Sequence, residues 1–319
     1  MENERNGKYL ETSVRVLQNV STSIVVRGLD DLTFLATHSP AEFFVQKGKV
    51  CYESEDYHQA VMYFSQALRL DPQNAEAQFM MGAMYNSGQG VARDYVEAVK
   101  WFLNAAEQGH TQAQYNLGLM YQNGRGVQQD APCGPRQISL WELMYANRQG
   151  VPQDYIEAEK WYRKAAEQGD ASAQNNLGLM YHEGQGVPQD YIEAIKWYRK
   201  AAEQGHAHAQ CNLGVGYYGG QGVARDYVEA VKWFLNAAEQ GHTQAQYNVG
   251  LMYWRGEGAP QDFVKAHMWL DLSAAQGDSD AKKYRDELAE RMSPSQLAEA
   301  ERLAMEWKHR GNLTIIENP

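Results

Sequence analysis

Between Asp190 and Gly205 the chain reads DYIEAIKWYRKAAEQG, with apolar residues at Ile192, Ala194, Ile195, Trp197, Tyr198, Ala201 and Ala202. Their three- and four-residue spacing makes a wide stripe down one side of a helix. Asp190 stands where an N-cap belongs, and Glu193 three positions on predicts a reciprocal capping box. Asp94/Glu97, Asp154/Glu157 and Asp226/Glu229 repeat the arrangement. Gly205 follows the last turn as a left-handed cap, and Gly109, Gly169, Gly241 and Gly277 stand at the same place. A different pattern precedes this helix. Ala171–Tyr181, ASAQNNLGLMY, predicts a second helix type, with a Gly-rich connection, EGQGVPQ, between the two. Gly178 in its middle costs roughly 1 kcal/mol relative to Ala. Its recurrence as Gly82, Gly118, Gly214 and Gly250 implies that another helix approaches closely there.

The two patterns alternate with a fixed period. Asp94, Asp130, Asp154, Asp190, Asp226 and Asp262 are spaced 36, 24, 36, 36 and 36 residues apart. Trp101, Trp161, Trp197, Trp233 and Trp269 each follow one of them by seven, while Gln137 stands where a Trp would follow Asp130. The 29 residues Gly88–Asn116 recur unchanged at Gly220–Asn248, 132 positions later. The chain therefore reads as copies of a 36-residue helix pair, with one copy shortened by 12. A unit of this kind cannot bury its apolar stripe alone, so stacking into an elongated all-α array is expected. After Asp130 the text is APCGPRQISLWELMYANRQG, where Pro132, Gly134 and Pro135 forbid the helix that should start there. One helix of the Asp-capped type is missing, while ISLWELMYANR could still form one of the other type, and the stacking is expected to be interrupted at 131–148. Proteolysis is expected to cut first between Gln129 and Ser139.

The repeated text, AxAQxNLGxMYxxGxGVxxDYxEAxKWYxxAAEQGH, resembles the SEL-one-like repeat, a relative of the tetratricopeptide repeat. The resemblance covers residues 75–278. Upstream, 41–74 resembles a tetratricopeptide repeat proper, with Gly48, Tyr57, Ala60, Phe64, Ala67 and Pro72 at its signature spacing. Downstream, 279–319 reads as two capping helices, Ser279–Met292 and Gln296–His309, with Ser293 as N-cap and Pro294 at the first helical position. A polar terminal cap is what a stacked array requires. Residues 1–40 fit no repeat. The resemblance implies a right-handed α-solenoid of antiparallel helix pairs.

In tetratricopeptide-like arrays the first helices line a concave groove. The positions that change most between copies fall there: Gln112, Ser172, His208 and Gln244; Tyr115, Asn175, Cys211 and Tyr247; Gln122, His182, Tyr218 and Trp254; and Asn123, Glu183, Gly219 and Arg255. Beside them runs a constant series, Asn116, Asn176, Asn212 and Asn248. An Asn amide both donates and accepts. Such a ladder can hold the backbone of an extended peptide while Tyr115, His182, Tyr218, Tyr247, Trp254 and Arg255 select its side chains. The alternative is that each Asn only ties neighbouring repeats together. On the groove reading, Trp254→Ala weakens a partner more than Asn212→Ala, and Trp197 and Tyr198 belong to the core.

Charge and composition narrow the function. A net charge of −11 opposes nucleic-acid binding, which favours a basic face. No apolar run approaches the roughly 20 residues needed to cross a bilayer. The N-terminal stretch lacks the apolar segment of a secretory signal. A soluble cytoplasmic protein fits, and export by another route stays compatible. Cys51, Cys133 and Cys211 form no CxxC pair and suggest neither zinc nor a disulfide framework.

Candidate chemistry is sparse. The GQGVARD loops lack the Lys-Ser/Thr of a phosphate cradle. Ser279-Asp-Ala-Lys282 matches S-x-x-K without its companion motifs. His206, His208 and Cys211 are ligands by type, but His206 repeats as His110 and His242, so it is a turn feature. No catalytic residue, metal or cofactor is expected. The expected role is a protein-interaction scaffold or adaptor taking a peptide or a partner protein. Two alternatives remain. One is a hydrolase of the kind ascribed to relatives with paired cysteines in each repeat, a pattern this chain departs from. The other is a purely structural copy.

Overall fold

The computed structural model describes residues 38–124 and 153–317, with side chains as far as His309. The expectations for 1–37, for Cys133, and for the proline-rich segment and shortened repeat at 131–148 fall outside these residues. The described residues are helical, without strands, and the chain divides into two compact units, Met1–Gln168 and Gly169–Pro319. The first unit holds α1 (Pro40–Glu53), α2 (Tyr57–Leu70), α3 (Ala75–Ser87), α4 (Tyr95–Glu107), α5 (Thr111–Asn123) and α6 (Tyr155–Glu167). The second holds α7 (Ala171–Glu183), α8 (Tyr191–Glu203), α9 (Ala207–Gly219), α10 (Tyr227–Glu239), α11 (Thr243–Arg255), α12 (Phe263–Ala275), α13 (Ser279–Ala289) and α14 (Pro294–Glu317). Odd-numbered helices up to α11 are the first helices of their pairs, and each packs against the helix that follows it.

The helix glycines mark where the pairs touch. A Cβ on Gly178 would sit 2.6 Å from the Tyr198 ring, one on Gly214 2.7 Å from Phe234, and one on Gly250 2.7 Å from Leu270. Gly82 seats Phe102 and Gly118 seats Tyr162 in the same way. The close approach expected from the sequence is thus the docking of one large side chain per repeat onto a bare backbone. Trp161, Trp197 and Trp269 are buried, as expected for core, but Trp101 and Trp233 are only half-buried.

The caps agree in part. Asp190 Oδ1 accepts from the Ile192 and Glu193 amides at 2.9 and 3.0 Å, and Asp94, Asp154 and Asp226 do the same in their repeats. The reciprocal half of the box is a correction. The Asp190 amide donates to the Tyr181 carbonyl at 2.9 Å, and the Glu193 carboxylate turns to Lys196 at 2.8 Å. A complete box forms at Ser39/Glu42, and another at Ser293, whose amide donates to Gln296 Oε1 while its hydroxyl accepts from the Gln296 amide. The closing helices end the second unit. Trp307 of α14 packs against Trp269 at 6.1 Å, and Lys308 pairs with Asp271 at 3.2 Å.

The interruption expected at 131–148 lies outside the described residues, and the helices on either side of it, α5 and α6, pack on each other. α5 and α6 form one complete pair. The Asp154 amide donates to Tyr121 O at 2.9 Å, the bond that Asp190 makes to Tyr181 and Asp226 to Tyr217. Gln168 Nε2 donates to Gln114 Oε1 across 54 positions, where the matching Gln204–Gln174 bond spans 30, a difference of 24 residues. The chain leaves the repeat frame after Gly124 and rejoins it at Gln153, where the two backbones lie side by side. A single pair thus draws α5 from one incomplete copy and α6 from the next. Removing residues 127–150 would restore the loop as Gly-Arg-Gly-Val-Pro-Gln-Asp, the pattern of 184–190. The shortened chain is expected to melt cooperatively within a few degrees of the parent, because the repeat interfaces are unchanged. Failure to fold, read by circular dichroism, would count against this frame.

Candidate functional site

On α9, Asn212, Val215 and the residues one turn on share a face, and on α11 Asn248, Leu251 and Arg255 do so at three- and seven-residue spacing. Where α9, α10 and α11 meet, a pocket of about 270 Å³ opens, lined by Val215, Tyr218, Phe234, Asn248, Leu251, Met252 and Arg255. One repeat earlier a pocket of about 130 Å³ uses matching positions, among them Leu179, His182, Tyr198 and Asn212. Val215 lines both.

The larger pocket has a polar rim. The Tyr218 hydroxyl donates to Glu257 Oε2 at 3.0 Å and accepts from Arg255 Nη1 at 3.2 Å. Burial, and then the Glu257 carboxylate, push the Tyr218 phenol above its ordinary range, so it stays protonated. Arg255 and Glu257 stand 3.9 Å apart, and the Arg255 side chain is 47% exposed.

Tyr218 also packs on Tyr227 at 5.2 Å, and the other groove candidates make comparable ring contacts. Trp254 meets Tyr284 of α13 edge-on at 5.7 Å, and Arg291 lies over its ring at 5.6 Å. Tyr247 packs on Tyr284 at 6.1 Å, His182 on Tyr191 at 5.2 Å, and Tyr115 on Tyr162 at 5.9 Å. The Asn series is half-buried and differently bonded at each position. Asn116 donates to Gln112 O in its own helix at 2.7 Å, and Asn176 accepts from Asn175 at 3.4 Å. Asn212 reaches Asn175 of the preceding repeat at 3.0 Å, and Asn248 makes a 3.5 Å contact with Gln244.

The regular polar tie within each helix pair is made by glutamines, whose role sequence reasoning missed, and three of them also reach a carbonyl of the preceding repeat. Buried Gln78, Gln114, Gln174, Gln210 and Gln246 each accept, at 2.7–2.8 Å, from the glutamine that ends the second helix of the pair. Gln114, Gln210 and Gln246 also donate to the Ala106, Ala202 and Ala238 carbonyls. The signal was present in the invariant AQ and EQG of each copy.

The turn histidines form a second polar cluster. His206 Nδ1 accepts from the Ala209 amide at 3.3 Å, and His242 Nδ1 from the Ala245 amide at 3.2 Å, so both are helix N-caps. With Nδ1 accepting, His242 carries its proton on Nε2 and donates to His208 Nδ1 at 2.9 Å. Burial, and then the neighbouring His208, push His206 and His242 below the usual imidazole range, and Asp170 opposes the shift at His206 only in part. A base held below its unfolded pKa takes up a proton more readily in the unfolded chain. Its stabilisation is therefore complete above about pH 6.5 and is lost as the pH falls from there toward the folded value. The melting temperature is expected to drop between pH 7 and 5, and to drop less in His206→Asn/His242→Asn, since a neutral Asn caps equally well. Parallel pH profiles for the two chains would rule this out. No group of three or more His, Cys, Asp or Glu able to hold a metal occurs among the described residues.

Comparison with known proteins accounts for the helix pairs. The Sel1 repeat model matches residues 75–110, 111–132, 139–170, 171–206, 207–242 and 243–278. The chain belongs to the Sel1 repeat family. A tetratricopeptide repeat matches 41–74, ahead of the Sel1 repeats. The chain is similar to a Sel1 repeat protein from Oxalobacter formigenes, with 32% identity over 83% of this chain and 96% of that one and a TM-score of 0.64. It also resembles a protective antigen of uropathogenic Escherichia coli strains displaying an SLR fold, with 24% identity, 95% and 91% of the two chains covered and a TM-score of 0.31. No curated protein matches. The two Sel1 matches at 111–132 and 139–170 are the incomplete copies whose helices α5 and α6 close into one pair. Among the described residues no helix is long and apolar enough to cross a membrane.

Proposed function

We propose that this Sel1 repeat chain is a non-catalytic scaffold that holds a segment of a partner protein or peptide on the face built by its first helices. The observation that carries the reading is the apolar pocket between α9 and α11, rimmed by Asn248, Tyr218 and Arg255. It combines a seat for a side chain with an amide for a backbone, the two elements of peptide recognition in a groove. Asn176, Asn212, His182, Tyr247 and Trp254 extend the same face of the second unit in this reading, and Asn116 and Tyr115 hold the matching positions in the first. A net charge of −11 favours a protein over a nucleic acid as partner. Free Cys51 and Cys211 suit a reducing, cytoplasmic setting. The boundaries that go with this reading are a non-repeat segment 1–40, a tetratricopeptide repeat 41–74, Sel1 repeats 75–278 with the irregular copy at 131–148, and caps and tail 279–319.

The test is to isolate a partner from native lysate, then titrate it against the parent, Tyr218→Ala and Asn248→Ala. Tyr218→Ala is expected to weaken binding by about 2 kcal/mol, as aromatic anchors do. Asn248→Ala is expected to cost nearer 1 kcal/mol. Asn248→Ala should melt with the parent, and Tyr218→Ala slightly below it, because that ring also packs on Tyr227 at the edge of the core; melting curves run alongside keep the binding loss separate. Trp254→Ala needs the same melting control, because Tyr284 and Arg291 pack on that ring. Parent-like affinity in Tyr218→Ala would exclude this face as the binding surface.

A further inference from the structure

We propose that the pocket between α9 and α11 selects an internal acidic segment: an aliphatic side chain enters it, and the carboxylate of the next residue pairs with Arg255. This rests on the scaffold reading and gives its partner a chemistry. The pocket's about 270 Å³ exceeds the roughly 150 Å³ known to hold a benzene, so a leucine side chain fits. Its walls are apolar: Val215 is 41% exposed on one side, with Leu251, Met252 and Phe234 opposite and beneath.

The rim decides the sign of the neighbouring charge. Glu257 is already engaged, accepting the Tyr218 hydroxyl at 3.0 Å. Arg255 uses Nη1 alone, toward Tyr218 and, at 3.9 Å, toward Glu257. The remaining edge of its guanidinium is a planar fork suited to a carboxylate. A partner cation would meet Arg255, the more exposed of the two charged groups, before Glu257. The second pocket one repeat earlier argues for a segment that runs on across the face rather than ending there. Asn248 and Asn212, one beside each pocket, offer amides to its backbone.

The probes are N-acetyl-Leu-Asp-amide and its isosteric control N-acetyl-Leu-Asn-amide, titrated into the methyl-labelled full chain and followed by NMR. Dissociation constants on the order of millimolar are expected for ligands of this size. Saturable shifts should centre on the methyls of Val215, Leu251 and Met252. The Asp probe should bind about threefold tighter, the range of an exposed ion pair. Arg255→Gln should abolish that preference, 0.5 M salt should shrink it, and Glu257→Gln should enlarge it by removing the opposing charge. Equal affinity for the two probes overturns the acidic assignment while the scaffold reading stands. Tighter binding of free N-acetyl-leucine than of the Asp probe also overturns it, in favour of a chain terminus. Absence of saturable shifts at these methyls overturns the pocket assignment, and the partner titration with Tyr218→Ala then decides the scaffold reading separately.

Discussion

Gly222→Ala is expected to destabilise the second unit by about 3 kcal/mol or more, whereas Gly205→Ala should cost about 1. Both glycines have positive φ, +72° and +89°. Both substitutions therefore carry the strain of a side chain in the left-handed region. They differ in what the new methyl meets. At Gly205 nothing lies within 4 Å. At Gly222 the Cβ would land on the Tyr191 carbonyl at the start of α8, inside van der Waals contact. That obstacle is backbone and cannot swing aside. Gly258 faces the Tyr227 carbonyl in the same way one repeat later. At Gly222 and Gly258, and at Gly90 against the Tyr57 carbonyl, the second glycine of the GxG connection thus lets a loop press on the helix start of the preceding repeat. Thermal melts of the two variants decide it: equal losses would mean that strain alone matters and that the loop contact is dispensable.

That contact explains what the sequence could and could not reveal. The GQG loops were legible as turns, because Gly, Pro and Asp are local signals. Their tight seating was not, since it depends on a backbone more than thirty residues away. The mid-helix glycines were legible for the opposite reason. A residue that weakens its own helix in every copy must be repaid by a neighbour, and Tyr198, Phe234 and Leu270 are those neighbours. The capping boxes were half legible. Asp190 caps locally, but its amide is claimed by Tyr181 and its Glu193 by Lys196, two competitors that a four-residue motif does not contain. The pairing of α5 with α6 was missed because period counting assigned Asp130 to the frame, whereas the bonds of Asp154 and Gln168 show where the frame resumes.

The binding face was legible only as a pattern of variation. Tyr218 and Arg255 were picked out from their changing positions, and the structure brings them within 3.2 Å. Glu257, Val215 and Leu251 were not, because they become neighbours only when α9 and α11 lie side by side. The Asn series drew attention as the polar constant, yet the glutamines carry the regular bonds, side chain to side chain within each pair and to an alanine carbonyl of the preceding repeat. Gln is an ordinary helix residue, so its constancy carried no local surprise.

Phe234→Ala is expected to be among the most damaging single changes, at about 3–5 kcal/mol. Its ring is 2% exposed, belongs to the core of the second unit and rests on Gly214. The glycine supplies the sharper test. In the parent, Gly214→Ala places a methyl 2.7 Å from the Phe234 ring, so the ring must shift in a packed core, at a cost of about 1–3 kcal/mol. Once Phe234 is alanine, the obstacle is gone and a methyl helps to fill the space left. Alanine also favours the helix over glycine by about 1 kcal/mol. Gly214→Ala should therefore destabilise the parent but stabilise the Phe234→Ala chain, a change of sign within one double-mutant cycle. Denaturant melts of the four chains measure it. If Gly214→Ala has the same sign in both backgrounds, the glycine is not there to seat the ring, and the packing account of the repeat fails at its central contact.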